Sequence, residues 1–203
     1  MSGGGDGVWV LGLGGSTRPR SRSRLVLEGA LAGARAAGAR TSLWAVDEEP
    51  LPFHTPEAPP DPATERFLKA VRAADAFVWC TPAYHGSVSA PVKNLLDHID
   101  ALRQDRPPLL AGKVVGVASV GDGAIAPVQA AATLVQIAHA LQALVVPLQV
   151  PVCHGTQTLS DEQIVDRGVA ARLDELGRLV VATATALRPA TGGPAPPSHR
   201  PGR

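Results

Sequence analysis

An α/β fold, with one five-stranded parallel sheet between two layers of helices, is predicted by three features of the 203-residue chain. Five short apolar runs lack the polar alternation of strands with one wet face. Segments of helical periodicity separate them, and parallel neighbours need connections of that length. Right-handed crossovers among five such strands favour the order 2-1-3-4-5. In a sheet of that order a ligand lies outside the carboxyl ends of the strands, at the switch point between the first and third. The loops that matter are those after strands one, three and four.

The first strand is VWVLGLG, residues 8–14. Leu25, Val26, Leu27, Ala30 and Leu31 mark a helix from Ser23 to Gly38, which Gly38 ends as a C′ glycine. Residues 39–46 form the second strand. DEEPLPFHTPEAPPDP, residues 47–62, holds six prolines and is a long surface loop, because that content sustains neither helix nor central strand. A short amphipathic helix spans 63–73, with Phe67, Leu68 and Val71 on one face. The third strand covers 75–81, followed by a loop and a helix over 90–103 with Pro91 in its first turn. GKVVGVASV, 112–120, is the fourth strand. A loop over 121–127 leads to an alanine-rich helix reaching about Ala143, and the fifth strand takes 143–150. Ser160 reads as an N-cap before acidic first-turn residues, opening a last helix to about Leu187. Residues 8–187 thus make one domain, flanked by a flexible N-terminus (1–7) and a Pro/Gly-rich tail (188–203) with almost nothing to bury.

Lys plus Arg number 19 and Asp plus Glu 18, a net charge of +1, so no global field holds nucleic acid or an anionic membrane. An anion has to be bound locally. No apolar run reaches membrane-span length, and MSGGGDG lacks the basic and apolar regions of a signal peptide, so the expected compartment is the cytoplasm. Cys80 and Cys153 are too few for a disulfide framework and lie in or beside apolar runs, which assigns them no chemistry. No metal site is expected, since no second ligand is spaced to join His85.

In the first loop, Arg18, Arg20, Arg22 and Arg24 alternate along the start of a helix, where each works against the macrodipole by some tenths of a kcal/mol. An anion would reverse that cost. Ser16, Thr17, Ser21 and Ser23 add hydroxyls, Gly14 and Gly15 permit close approach, and the helix start supplies free N–H groups, which together suit a phosphate. The loop is neither a dinucleotide fingerprint, since positions 12, 14 and 17 read Gly, Gly, Thr, nor a P-loop, since no Gly-Lys-Ser/Thr follows. The competing reading is a solvated basic turn.

In the third-strand loop, Tyr84 is the one tyrosine of the chain. A ring at a strand end suits stacking on a flat heterocycle, with Thr81, His85, Gly86 and Ser87 as hydrogen-bonding neighbours. The competing reading is a ring packed over the sheet end. In the fourth-strand loop Ser119, Gly121, Asp122 and Gly123 let the main chain approach the same ring. A phosphate site and a stacking aromatic at one sheet edge imply a mononucleotide with a flat ring, and FMN fits best.

Two motifs are shared with a known family. Gly15, Ser16, Thr17, Arg18, Pro19, Arg20 and Ser21, continuing to Ser23 and Leu25, match a Gly-Ser-x-Arg-x-x-Ser phosphate loop. Pro82, Tyr84, Gly86, Ser87, Val92, Lys93, Asn94 and Asp97 match Pro-x-Tyr-x-Gly-Ser followed by Leu/Val-Lys-Asn and an aspartate. Over about residues 8–187 the chain resembles the NADPH-dependent FMN reductases, which have a flavodoxin-like three-layer sandwich.

The resemblance implies that Ser16, Arg18, Ser21 and Ser23 hold the FMN phosphate, with Arg22 a further cofactor-binding residue. It implies that Pro82, Ala83, Tyr84, His85, Gly86 and Ser87 line the isoalloxazine, and that Ser119, Gly121, Asp122 and Gly123 close its other edge. NADPH or NADH would pass a hydride from nicotinamide C4 to flavin N5, and the chemistry is the flavin's own, so no obligatory acid or base is expected. The implied acceptors are free flavin for a partner monooxygenase, a quinone or a similar compound. A homodimer or homotetramer is implied, built from the proline-rich loop 47–62 and the helix after Ala90. Ala83 and His85 replace the family's commoner Glu and Asn, and Ser23 a frequent Asn, which leaves the acceptor open. Two other classes stand beside this one. An electron carrier is usually strongly acidic, unlike this chain, and a cofactor-free binding protein leaves Tyr84 unexplained.

Overall fold

A computed structural model of the chain describes residues 7–18, 21–56, 58–154, 158–160 and 163–188. The N-terminal residues 1–6 and tail residues 189–203, read above as unstructured, lie outside the described residues. Strands β1 (Trp9–Gly14), β2 (Arg40–Ala45), β3 (Ala76–Pro82), β4 (Val114–Asp122) and β5 (Leu144–His154) alternate with helices α1 (Arg22–Ala36), α2 (Pro62–Ala73), α3 (Ala90–His98), α4 (Ile125–Ala140) and α5 (Arg167–Leu187). The sheet order is β2-β1-β3-β4-β5 and every pairing is parallel, as predicted.

The period-2 alternation of the strands divides the core into two layers. Val10, Ala76, Val78 and Cys80 face one side, against Leu27 and Leu31 of α1 and Leu173 and Leu176 of α5. Leu11, Leu13, Phe77 and Trp79 face the other, against Phe67, Leu68 and Val71 of α2, Leu95 and Leu96 of α3 and Leu134 of α4. The buried aromatic side chains of the strands, Trp44, Phe77 and Trp79, thus fill the α2/α3/α4 side. Among the described residues no helix is long and apolar enough to cross a membrane.

Helix ends follow local chemistry. α1 starts at Arg22, one residue before the expected Ser23, and Ser21 caps it: its Oγ accepts from the Arg24 N–H at 3.1 Å. Gly38, at φ +88°, closes α1 as predicted, donating to Arg35 O while Ala39 donates to Ala34 O, the paired bonds of a Schellman end. The same motif ends α4 at Ala140, short of the expected Ala143, with Gln142 (φ +65°) in the glycine position. With no glycine to mark it, that end is hidden in the sequence. α4 also starts inside the expected loop, at Ile125, because Pro127 is tolerated within a first helical turn. The helix predicted over 90–103 becomes α3 plus a 3-10 turn at Ile99–Leu102.

Two expectations fail at the carboxyl end of the chain. β5 continues past 150 to His154, through Pro151, because β5 is an edge strand and an edge tolerates a residue without an N–H. Ser160 does not open the last helix. Its Oγ accepts from the Gln163 N–H at 3.0 Å in a small turn, and Asp166 caps α5 by accepting from Gly168 and Val169.

Candidate functional site

The carboxyl ends of β1, β3, β4 and β5 surround a cleft of about 360 Å³. Ser16, Arg18, Ser21, Arg22 and Ser23 line one end; Pro82, Ala83, Tyr84, Val120, Gly121, Asp122 and His154 line the other. The first end comes from the β1–α1 loop, whose main chain is fixed from below. Gly15 donates to Cys80 O at 3.2 Å, and its own carbonyl accepts from the buried Ser89 Oγ at 2.7 Å. The Ser89 N–H is held by Thr81 Oγ1 at 2.9 Å. A side chain at Gly15 is excluded, because its Cβ would sit 1.9 Å from Val92 Cγ2 and 2.8 Å from Ser89 Oγ. The two sequence motifs therefore meet: the start of α3 is the floor under the phosphate-type loop.

The hydroxyls above this floor are partly committed and partly open. Ser16 Oγ accepts from the Arg18 N–H at 3.1 Å, which folds the loop back on itself. Ser21 accepts in the α1 cap and keeps its O–H for Ser23, 3.2 Å away, or for an anion. Arg24, one of the four alternating arginines, points elsewhere. Its guanidinium binds Glu48 at 2.5 Å and Glu28 at 3.0 Å, with Asp47 at 3.6 Å, which holds its charge still more firmly. That arginine ties α1 to the turn after β2 and is no anion ligand; Arg20 lies outside the described residues.

The ring-type end is a different construction. Ala83 donates to Val120 O at 2.7 Å, continuing the β3–β4 pairing into the loops. Tyr84 and Ser87 exchange both main-chain hydrogen bonds, at 3.0 and 2.9 Å, across a two-residue turn. His85 and Gly86 occupy it with φ of +51° and +76°, the signs of a type I′ hairpin turn. Tyr84 is 49% exposed and lines the cleft. His85, Gly86 and Ser87 shape this turn but do not line the cleft. Ser119 is also outside it: the side chain is fully buried and its hydroxyl donates to Pro127 O at 2.6 Å, anchoring the start of α4. Gly123 lies on the exposed turn beyond, while Gly121 and Asp122 do line the cleft.

Sequence reasoning missed His154 and Ser89 and gave no role to Asn94. His154 lines the cleft from β5, paired in register with Asp122, and its Nδ1 is buried with no hydrogen-bond partner among the described residues. The early end assigned to β5 concealed it. Ser89 falls in the loop expected before the helix at 90–103, although Ser-Ala-Pro is a helix-start signal. Asn94 has a bracing role: its Oδ1 accepts from the His54 N–H and its Nδ2 donates to Pro52 O, both at 2.8 Å, strapping the proline-rich loop to α3. Cys80, directly beneath the site, is fully buried, and burial pushes its thiol well above the ordinary range, so it is inert.

A sequence model of the family described as NADPH-dependent FMN reductase matches residues 8–157. The chain belongs to that family. It is 32% identical over 121 residues to an NAD(P)H:quinone oxidoreductase of Solanum tuberosum, covering 57% of this chain and 60% of the relative. It is 33% identical over 92 residues to the NADPH-dependent FMN reductase ArsH of Shigella flexneri, covering 45% of this chain and 36% of the relative. The chain thus spans less than two thirds of either relative. In structure it is similar to FerB, a flavoenzyme NAD(P)H:(acceptor) oxidoreductase from Paracoccus denitrificans, with a TM-score of 0.71 at 19% identity over 88% of this chain and 98% of that one. That likeness establishes the flavodoxin-like fold.

The donor set of the cleft fits the cofactor in the family's name. Hydroxyls and two guanidinium groups gather at one end, beside the start of α1, where a phosphate is favoured by both charge and free N–H groups. An aromatic side chain and close-packed main chain stand at the other. There a Cβ on Gly121 would lie 2.9 Å from Ala83 Cβ, so a larger residue would push the two ring-side walls apart.

Proposed function

We propose that the chain is an NAD(P)H-dependent FMN reductase, and the observation that carries this reading is the single cleft joining Ser16, Arg18, Ser21, Arg22 and Ser23 to Pro82–Tyr84 and Val120–Asp122. When bound, FMN supplies the hydride acceptor and the electron relay. The chain's own part is placement. Arg18 and Arg22 neutralise the phosphate, while Ser16, Ser21 and Ser23 orient it by hydrogen bonds. Gly15, held by Ser89, keeps the loop main chain close enough to reach it. Tyr84 flanks the ring, and Ala83 and Gly121 set the width of the ring-side wall. His85, Gly86 and Ser87 hold Tyr84 in place through their turn, and Ser119 and Gly123 support the β4–α4 corner.

The electron donor is NADPH or NADH, a pairing that suits the cytoplasm. For the acceptor we take a quinone or free flavin, the choices suggested by the names of the two relatives; reduced flavin released in this way could serve a flavin-dependent monooxygenase. The active form is a homodimer or homotetramer in which the strapped loop at 51–54, bearing the 86% exposed Phe53, meets a second copy. The test is an absorbance spectrum under nitrogen after FMN and then NADPH or, in a separate sample, NADH is added. Flavin bands that bleach with NADPH support the reductase; bands that persist with both nicotinamides indicate an electron carrier instead, and failure to bind FMN removes the reading.

A further inference from the structure

We infer that His154 positions the ring end of the ligand in the cleft, through a hydrogen bond between its Nδ1 and the polar edge of a flavin ring. The inference rests on the FMN reading of the cleft and assigns a residue to the part of the ligand farthest from the phosphate. It begins with the pleat of the sheet. Alternate side chains of a strand share a face, and Val150 and Val152 of β5 lie with Ala118 and Val120 of β4 in the core layer against α1 and α5. The next residues on those two rows are His154 and Asp122, which pair in register and both line the cleft. Each row turns from apolar to polar as it leaves the core. His154 is reached because β5 runs on through Pro151.

One atom separates His154 from an ordinary rim residue. A side chain on a solvated rim gives its polar atoms to water, but His154 Nδ1 is buried and has no hydrogen-bond partner among the described residues. Buried polar atoms of native proteins are paired as a rule. Trp79 Nε1 is also unpartnered, yet that side chain is sealed in the α2/α3/α4 core layer, whereas His154 opens onto the cleft. The partner of Nδ1 therefore comes from what the cleft binds.

Position across the sheet decides which part of that ligand His154 meets. In the order β2-β1-β3-β4-β5, β5 stands three strands from β1, and at about 4.8 Å per strand the two lie roughly 14 Å apart. The loop that carries Ser16, Arg18 and Ser21 follows β1, while His154 ends β5 on the far side of Pro82–Tyr84 and Gly121. A mononucleotide anchored by its phosphate at β1 thus meets His154 with its other end, the ring. The uracil-like edge of a flavin alternates carbonyl, N–H and carbonyl. An imidazole nitrogen can donate to the carbonyls or accept from the N–H, so Nδ1 suits that edge in either tautomer.

The test measures binding of FMN and of riboflavin to the full chain and to the variants His154→Ala and His154→Asn, each checked for native circular dichroism, by quenching of flavin fluorescence. The Asn amide is attached to Cγ, as Nδ1 is, so it restores a donor or acceptor at that place; Ala restores none. His154→Ala is expected to weaken both flavins by the same factor, roughly tenfold, and to shift the visible absorbance band of the bound ring. His154→Asn should recover most of the affinity and the band position. An equal loss for the two flavins marks a ring contact, because they differ only in the phosphate. Wild-type affinity in His154→Ala, an Asn variant no better than the Ala variant, or a loss confined to FMN would each overturn the inference and leave the FMN reading standing. A wild type that binds neither flavin would remove the FMN reading and the inference with it.

Discussion

At the β1–α1 end of the cleft the main chain rests on a buried floor, with Gly15 bonded to Cys80 and Ser89 and no room for a Cβ above Val92. At the β3–α3 end Tyr84 stands 49% exposed on a two-residue turn held by its own two hydrogen bonds. One end is positioned by interactions from β3 and the start of α3, the other by its local backbone. A phosphate has fixed size and charge, and recognising it demands fixed donors. A flat ring and its reaction partners demand an open wall. The contrast teaches that anchoring and reactivity have separate supports in this site, so damage to one end should leave the other measurable.

Gly15→Ala should break the contrast most severely. Its new methyl group would collide with Val92, and overpacking at a closed site costs roughly 3 kcal/mol; thermal denaturation should show the loss, with partial recovery in the Gly15→Ala/Val92→Ala double variant. An unshifted melting temperature would mean the floor is looser than described. Arg18→Ala should leave stability unchanged and weaken FMN binding by about 1.5–3 kcal/mol, the worth of a charge-assisted hydrogen bond, as read by fluorescence titration. Ser89→Ala leaves the Gly15 carbonyl without its donor and should cost about 1–2 kcal/mol of stability, together with a smaller loss of FMN affinity; equal affinity would separate the floor from the site. The smallest effect belongs to the exposed turn. His85→Asn should be nearly neutral, because Asn accepts a positive φ, whereas His85→Val should cost about 1 kcal/mol in backbone strain. Neither should change the FMN phosphate contribution, and a large change there would contradict the separation of the two ends.

Much of the fold was legible because its signals are strong: uninterrupted apolar runs for β1, β3 and β4, six prolines in one loop, and Gly38 at the end of α1. Errors arose where an unusual residue took an ordinary role. Gln142 ends α4 in a position normally held by glycine, and Pro151 sits inside β5 because that strand is an edge. In the site, the arginine alternation drew attention to the correct loop but could not distribute its members. Arg18 and Arg22 line the cleft, while Arg24 is consumed by Glu28, one turn further along α1, and by Glu48 and Asp47, which only the folded chain brings near. Ser119 illustrates the opposite limit. It lies at the right strand end, yet it falls on the buried side of β4 and gives its hydroxyl to Pro127. His154 was invisible for the same reason as the end of β5.

The central claim is that the cleft recognises a flavin mononucleotide by its phosphate at the β1–α1 loop. The most direct measurement compares the equilibrium affinities of the unmodified protein for FMN and for riboflavin, which lacks only the phosphate, by quenching of flavin fluorescence. FMN should bind tighter by at least about tenfold, the equivalent of roughly 1.5 kcal/mol or more from charge-assisted contacts, and Arg18→Ala should shrink the difference. Equal affinities for FMN and riboflavin would contradict the account.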